Sequence, residues 1–191
     1  DQEDVKKDIE LLSSQVERCN EILKRLTLNP VEEDEFIDKD LTMRDYLSEI
    51  ISSFKEISKK NFIFNFDQYS NIKKITKSIE IVYGLRNFIG NANKFSKETI
   101  YITLKSDSEM TEIIIEDDGN GYPRDVLSKI GEPYLRSKDP IEKSKTGLGL
   151  GLFIGKTLLE KNFASINCKN SKTKSGAEVT IKWNNKDLFN I

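Results

Sequence analysis

The most constraining feature of this chain is the segment from Thr146 to Ile154, where glycines alternate with other residues and lead into an apolar run. Glycine adopts positive φ and lets the backbone approach a ligand closely. A glycine-rich loop that opens a helix presents free N–H groups and the positive end of the helix dipole, which suit a phosphate. The segment therefore predicts a phosphate-binding loop ahead of a helix. Taken alone, it also fits an ordinary flexible loop.

Composition excludes several classes of function. The 191 residues are enough for one domain with a substantial core, or for one domain with an appendage. A net charge of −2 gives no basic excess that would favour a nucleic-acid partner. The chain has no histidine, which removes Ser-His-Asp catalysis and most zinc sites. The two distant cysteines fit no disulfide framework, as expected in a reducing cytosol.

A heptad pattern runs through the first thirty residues. Apolar side chains recur at alternating spacings of four and three residues, at Val5, Ile9, Leu12, Val16, Cys19, Leu23 and Leu26. This predicts a helix that packs on another helix, although an amphipathic helix lying on its own domain carries a similar stripe. Cys19 stands on this seam, either as a small buried apolar residue or as a thiol close to its counterpart in a second chain.

The remaining order predicts one α/β domain. Asn29-Pro30 ends the first helix, and the acidic residues 30–40 form a linker, so that the domain covers residues 41–191. Helices are predicted at about 42–60, 76–96, 123–130 and 150–161, and strands at 62–66, 99–104, 112–117, 165–169 and 177–183. No apolar run approaches the ~18 residues of a membrane span.

The second helix of this domain carries Asn87, Asn91 and Lys94 at spacings that place them on one face. Two carboxamides and an ammonium group arranged in this way can bind Mg²⁺ and phosphate oxygens together, because Mg²⁺ prefers oxygen ligands. A polar face that is merely solvated has the same pattern.

Asp117 ends a predicted strand and is followed by Gly119 and Gly121. A carboxylate in this place can accept a hydrogen bond from the amine of a flat ligand, and the glycines leave room for the ring. A D-G or N-G hairpin turn is the alternative, but the helical pattern that follows argues against a simple hairpin. The charged residues between Gly131 and Thr146 then form either a lid over the site or a solvated loop.

Together these segments resemble the successive sequence boxes of the sensor histidine kinase ATP-binding domain. The matching boxes are Asn87-x-x-x-Asn91-Ala92-x-Lys94-Phe95, Asp117-x-Gly119-x-Gly121, Glu132-Pro133-Tyr134 and Gly147-x-Gly149-x-Gly151, and Gly176 resembles the final glycine. Four boxes in order are specific where each alone is weak. Within the family, the segments around Glu132 and Gly147 look most like the redox-responding RegB/PrrB-type kinases, and the stretch around Cys19 resembles the second helix of their dimerisation hairpin.

The resemblance implies an α/β sandwich in which three helices cover one face of a mixed β-sheet, preceded by one dimerisation-type helix. It implies that ATP and Mg²⁺ are bound: Asp117 would accept from the adenine amine above Gly121, Asn91 with Asn87 would hold Mg²⁺, and Lys94 would reach the phosphates. The implied ATP-binding set is completed by Gly119, Tyr134, Arg136, Gly147, Leu148, Gly149, Leu150 and Gly151.

A histidine kinase phosphorylates a histidine, and this chain has none. The resemblance therefore implies that the acceptor lies on a preceding helix outside this chain, in a membrane-anchored kinase whose cytoplasmic part dimerises and passes phosphate to a response regulator. Two alternatives remain. One is a gyrase- or chaperone-type ATPase or a serine-directed relative, in which a glutamate stands at the position of Asn87. The other is a nucleotide-binding module without catalysis.

Overall fold

A computed structural model of the chain describes residues 41–67, 74–75, 78–135 and 149–188. The chain divides into two units, Asp1–Phe36 and Ile37–Ile191, and all described residues belong to the second. The predicted dimerisation helix with Cys19 and the linker lie outside the described residues, so the proposed division at residues 30–40 stays a prediction.

The centre of the domain is a five-stranded mixed sheet with the strand order β2-β4-β5-β7-β6. Its strands are β2 (Asn61–Phe66), β4 (Thr99–Ser106), β5 (Met110–Asp117), β6 (Ser165–Asn170) and β7 (Ala177–Asn184). β2 and β4 are parallel and every other pair is antiparallel. Two short strands, β1 (Leu41–Thr42) and β3 (Lys74–Ile75), form a separate antiparallel pair that the sequence did not predict.

Helices cover one face of this sheet. They are α1 (Met43–Ile57), α2 (Ile79–Phe95), the short α3 (Arg124–Leu127), α4 (Gly151–Lys161) and α5 (Asn185–Leu188). Alternate strand residues point into a single core with the helices, among them Ile102, Ile113 and Trp183, which are fully buried. The opposite face carries ion pairs such as Lys182 to Glu112 at 2.7 Å. The predicted sandwich of a mixed sheet with three long helices on one face is confirmed.

The helix ends follow capping chemistry. Thr42 accepts a hydrogen bond from the Asp45 N–H, and the Asp45 carboxylate accepts one from the Thr42 N–H at 3.0 Å, which forms a capping box at the start of α1. Ser78 caps α2 in the same position. The helix predicted at 123–130 is shorter, since the chain leaves α3 in tight turns, with Lys129 N–H donating to the Val126 carbonyl at 2.9 Å.

The helices α2 and α4 cross at two glycines. A Cβ added at Gly84 would lie 2.5 Å from Cγ of Leu159, and one added at Gly155 would lie 3.0 Å from Cβ of Asn87. The contact at Gly84 would force a neighbour to shift and the one at Gly155 would be tight, so both positions limit how closely the two helix axes approach. The crossing brings the start of α4 against the middle of α2, where Asn87 lies.

Candidate functional site

The Asp117 carboxylate closes β5 inside the domain, with only 3% of the residue exposed. Its Oδ1 accepts hydrogen bonds from the N–H groups of Gly119 at 2.8 Å and Ala177 at 3.2 Å. Among the described residues, none donates a hydrogen bond to Oδ2. One carboxylate oxygen is therefore fixed by the backbone while the other is available to a ligand.

Burial raises the pKa of Asp117 above that of an ordinary aspartate, because the charged form loses hydration. The two backbone N–H groups oppose this rise, and so does the positive charge of Lys60, whereas the neighbouring charge of Asp118 adds to it. Lys60 is held in place by a hydrogen bond from its Nζ to the carbonyl of Ser96. A carboxyl group whose pKa is shifted by burial is typical of a binding site.

Two glycines around Asp117 are required by close packing. A Cβ at Gly119 would lie 2.4 Å from the carbonyl oxygen of Phe95, and one at Gly176 would lie 2.2 Å from Oδ1 of Asp117. The sequence interpretation gave Gly119 the task of leaving room for a ring. That role stays a prediction, and the structure adds a second requirement for glycine, since the space that a Cβ would need is filled by the last residue of α2.

The next residue, Asp118, fixes the turn between α2 and β4. Its carboxylate accepts hydrogen bonds from the N–H groups of Lys97 at 2.7 Å, Glu98 at 3.1 Å and Thr99 at 2.9 Å. Burial raises its pKa and the backbone donors lower it, and the net result is a lowered pKa. Asp118 thereby ties the segment after Asp117 to the end of α2.

The carboxamide of Asn87 lies on α2 facing the start of α4. The residue is buried, and its Nδ2 donates to the Tyr83 carbonyl at 2.8 Å. Its Oδ1 lies 3.5 Å from the point where a Cβ on Gly151 would stand, which is an ordinary contact distance, so the first residue of α4 lies directly beside this oxygen. Asn91 is half-buried one turn further along.

Lys94 lies on α2 one turn beyond Asn91. It is exposed, and its Nζ lies 5.8 Å from the centre of the Phe95 ring. Partial desolvation lowers the pKa of its ammonium group. A long and flexible lysine can still reach an anion bound beside Asn91.

The start of α4 has no side-chain cap, since its N-cap residue is Leu150. The first N–H groups of a helix have no partner within the helix. The N–H groups of Gly151, Leu152 and Phe153 therefore point out of the helix end next to Asn87. This arrangement is typical of a phosphate site.

The two described ends of the predicted lid are joined to each other. The N–H of Leu135 donates to the carbonyl of Gly149 at 3.1 Å, and a Cβ at Gly149, where φ is 72°, would lie 2.3 Å from the Leu135 carbonyl oxygen. Tyr134 has a positive φ of 60° and is 70% exposed. Arg136, Gly147 and Leu148 lie outside the described residues.

The oxygen donors near the start of α4 suit one kind of metal ion. No group of three or more Cys, Asp, Glu or His side chains that could hold a metal occurs among the described residues. The carboxamide oxygens of Asn91 and Asn87 are nevertheless suitable for Mg²⁺, which keeps several waters and takes most remaining ligands from substrate phosphates. The residues present therefore fit Mg²⁺ bound together with a nucleotide, and not a protein-only metal site.

Some contributions to the site were missed from the sequence. The Ala177 N–H on Asp117 is a backbone group, and the sequence carries no signal for it. Asn170 was missed as well, although it contacts the backbone of Tyr122, because its strand is separated from that loop by some fifty residues. Lys60 was also missed, and its positive charge lowers the pKa of Asp117.

Comparison with known proteins agrees with this geometry. Residues 76–187 match the family of histidine kinase-, DNA gyrase B- and HSP90-like ATPases. The chain belongs to this family. In sequence it is 30% identical to the sensor histidine kinase RegB of Cereibacter sphaeroides over 92% of the chain and 42% of that protein, and 29% identical to the sensor protein RstB of Escherichia coli over 52% of the chain and 23% of that protein.

Solved structures show the same fold. The mycobacterial sensor histidine kinase MprB matches with a TM-score of 0.63 at 19% identity, over 75% of this chain and 96% of that one. Histidine kinase AdeS of Acinetobacter baumannii matches with a TM-score of 0.60 at 19% identity, over 92% of this chain and 83% of that one. The resemblance to the ATP-binding domain of RegB-type sensor kinases is therefore confirmed. The chain spans less than half the length of RegB.

Proposed function

We propose that this chain is the catalytic part of a two-component sensor histidine kinase, which binds Mg-ATP and transfers its γ-phosphate to a histidine outside this chain. The observation that supports this most is the Asp117 carboxylate, of which only Oδ1 accepts hydrogen bonds from described residues, the N–H groups of Gly119 and Ala177. The family to which the chain belongs consists of ATPases and kinases.

At the adenine end, Asp117 Oδ2 would accept a hydrogen bond from the exocyclic amine of the base. This oxygen has no donor among the described residues, while Oδ1 is held by two backbone N–H groups. A buried charged acceptor favours a donor strongly, because its own hydration has already been lost. A guanine base at the same position would place its carbonyl oxygen against Asp117 Oδ2, and the two acceptors would repel each other.

At the phosphate end, Asn91 and Asn87 would supply oxygen ligands for Mg²⁺, and the uncapped start of α4 would bind phosphate oxygens through its N–H groups. Mg²⁺ would neutralise phosphate charge during transfer. Phosphoryl transfer depends mainly on positioning and on compensation of charge. The chain therefore needs no general base of its own to present the γ-phosphate to an acceptor.

The competing activity is steady-state ATP hydrolysis of the gyrase or chaperone type, because the matched family includes such proteins. Hydrolysis requires a residue that activates water. Asn87 is a neutral carboxamide, which is too weakly basic to accept a proton from water, and its Nδ2 donates to the Tyr83 carbonyl. Asparagine at position 87 fits a kinase better, because a kinase transfers the phosphate to a histidine and does not have to activate water.

The proposal extends to the parent protein. The N-terminal heptad segment would pair with a second copy, a response regulator would take the phosphate, and the chain would act on the cytoplasmic side of a membrane-anchored kinase that senses redox state through Cys19. Within the described part of the chain, no helix is long and apolar enough to cross a bilayer.

The test is a phosphoryl-transfer assay with ATP labelled at the γ-phosphate. The acceptor is a dimerisation hairpin of a RegB-type kinase carrying its histidine. The expected result is acid-labile label on the hairpin and little free phosphate from the chain alone, with Asn91→Ala abolishing transfer. Rapid phosphate release by the chain alone, with no label on the hairpin, would support the ATPase alternative and contradict the proposal.

A further inference from the structure

The segment from Asp118 to Tyr122, called here the adenine loop, is held at its far end by one side chain of a distant strand. Asn170 is the last residue of β6. Its Oδ1 accepts a hydrogen bond from the Tyr122 N–H at 2.6 Å, and its Nδ2 donates one to the Tyr122 carbonyl at 3.1 Å. A single carboxamide thus satisfies both backbone polar groups of Tyr122, as a neighbouring strand would.

The same carboxamide packs directly against Gly121. A Cβ at Gly121 would lie 2.7 Å from Oδ1 and 2.8 Å from Cγ of Asn170. Gly121 has a φ of 74°, in the left-handed region that glycine adopts without strain. The path of the chain at Gly121 is therefore limited on one side by Asn170.

The other parts of the adenine loop are fixed independently of Asn170. Asp117 binds the Gly119 N–H at 2.8 Å, and Asp118 binds three N–H groups of the α2–β4 turn. The Tyr122 ring is buried in the core, against which Cys168 of β6 also packs. Removing the Asn170 carboxamide would thus release Gly121 and the Tyr122 backbone while leaving the Asp117 end and the ring in place.

We infer that Asn170 is a positioning residue for base recognition. It fixes the backbone of Gly121 and Tyr122 at the distance from the base plane that an adenine ring hydrogen-bonded to Asp117 requires. It acts through this backbone and does not touch the nucleotide. The inference rests on the proposed ATP site. It differs from a purely structural tie between β6 and the adenine loop, because such a tie would affect stability without altering the choice of base.

The experiment compares Asn170→Ala and Asn170→Asp with the control Asn167→Ala, which removes an exposed carboxamide from the same strand. Affinities of the whole chain for Mg-ATP, Mg-ADP and Mg-GTP are measured by calorimetry, and unfolding midpoints by circular dichroism. Asn170→Asp keeps the size of the side chain and the acceptor for the Tyr122 N–H, but places an oxygen against the Tyr122 carbonyl. It remains informative should the alanine variant fold poorly.

For Asn170→Ala, the expected result is a loss of about 5- to 30-fold in affinity for both adenine nucleotides, because both hydrogen bonds to Tyr122 are removed. Asn170→Asp, which loses one of them and places an oxygen against the Tyr122 carbonyl, should lose affinity in the same direction. The preference for ATP over GTP should narrow, while the ratio of ATP to ADP affinity stays constant because the phosphate end is untouched. Asn167→Ala should match the wild type. The unfolding midpoints of all folded variants should remain within a few degrees of one another.

Unchanged nucleotide affinity in both Asn170 variants would overturn the inference while leaving the proposed function intact. So would an equal loss for ATP and GTP accompanied by a large drop in the unfolding midpoint, which would indicate a purely structural tie. Failure of the wild-type chain to bind Mg-ATP at all would overturn the proposed function, and the inference with it.

Discussion

At the scale of single residues, Asp117 combines a binding role with a cost in stability. Burial raises its pKa, and a carboxyl group whose pKa is higher in the folded than in the unfolded state stabilises the fold only at low pH. That stability is present below the unfolded value and is lost as pH rises through the folded value. At neutral pH, the charged carboxylate therefore weakens the fold relative to an unperturbed one, which is the usual trade between stability and function.

The substitution Asp117→Asn should separate these two effects. The asparagine oxygen can still accept from the Gly119 and Ala177 N–H groups, but an NH₂ group replaces the free oxygen. We expect ATP affinity to fall by ~1–3 kcal/mol, while the unfolding midpoint at pH 7 stays equal or rises. Calorimetry and thermal unfolding measure both, with the exposed Asp187→Asn as control. An unchanged affinity would contradict the role of Asp117.

The same raised pKa predicts a pH dependence of binding. The deprotonated carboxylate accepts a charge-assisted hydrogen bond from the adenine amine, whereas the protonated carboxyl group is a weaker acceptor. ATP affinity should therefore decline as pH falls through the raised pKa of Asp117, at a higher pH than for an ordinary aspartate. Calorimetric titrations at several pH values would check this, and the decline should be absent from Asp117→Asn.

The residues that sequence analysis identified are those whose chemistry depends on their own type, and Asp117 and Asn87 are the best examples. Sequence analysis could not supply the partners. The Ala177 N–H comes from a strand sixty residues away, and a backbone donor leaves no mark in the sequence. The close approach of Gly119 to the Phe95 carbonyl was not predicted either, because that carbonyl belongs to another element.

At the scale of elements, the crossing of α2 and α4 positions the phosphate end. In Gly84→Ala, the new Cβ would lie 2.5 Å from Leu159 Cγ, in a fully buried site. Overpacking of this kind costs about 1–3 kcal/mol, which exceeds the gain of about 1 kcal/mol in helix propensity. In Gly155→Ala, the contacts at 3.0 Å to Asn87 and 3.1 Å to Phe88 are tight but can be relieved by small shifts.

We therefore expect opposite profiles from these two matched variants. Gly84→Ala should lower the free energy of unfolding, whereas Gly155→Ala should change it little and weaken Mg-ATP binding by displacing Asn87. Denaturant unfolding and calorimetry distinguish the two. The account of the crossing would be wrong if Gly155→Ala bound Mg-ATP like the wild type, or if Gly84→Ala were as stable as the wild type.

Element positions followed from the sequence wherever the pattern was periodic. The alternation in β5 and the 3.6-residue pattern in α2 located both elements within a few residues. The end of α3 was not predicted from the sequence. Turns with i to i+3 hydrogen bonds replace the helix after Leu127, and few apolar residues mark the change. The strand pair β1–β3 was too short to show any period.

At the scale of the whole molecule, the two cysteines should differ in reactivity. Burial raises the pKa of the Cys168 thiol to about 11, so very little thiolate is present at neutral pH. Cys19 lies outside the described residues, and its heptad position predicts a place on a dimer seam. Mild oxidation should then give a covalent dimer that Cys19→Ser abolishes and Cys168→Ser does not. Non-reducing electrophoresis checks this, and a cross-link that persists without Cys19 would defeat the redox proposal.

The central claim is that the chain holds Mg-ATP through the carboxamides of α2, and the most direct measurement is the Mg²⁺ dependence of ATP affinity. Calorimetry with Mg²⁺ and with a chelator should show a clear gain from Mg²⁺ in the wild type. Asn91→Ala should lose this gain and keep the affinity without metal. The control Asn93→Ala removes a carboxamide held instead by Ser58 at 2.7 Å, and it should keep the gain. Equal Mg²⁺ dependence in the wild type and Asn91→Ala would contradict the account.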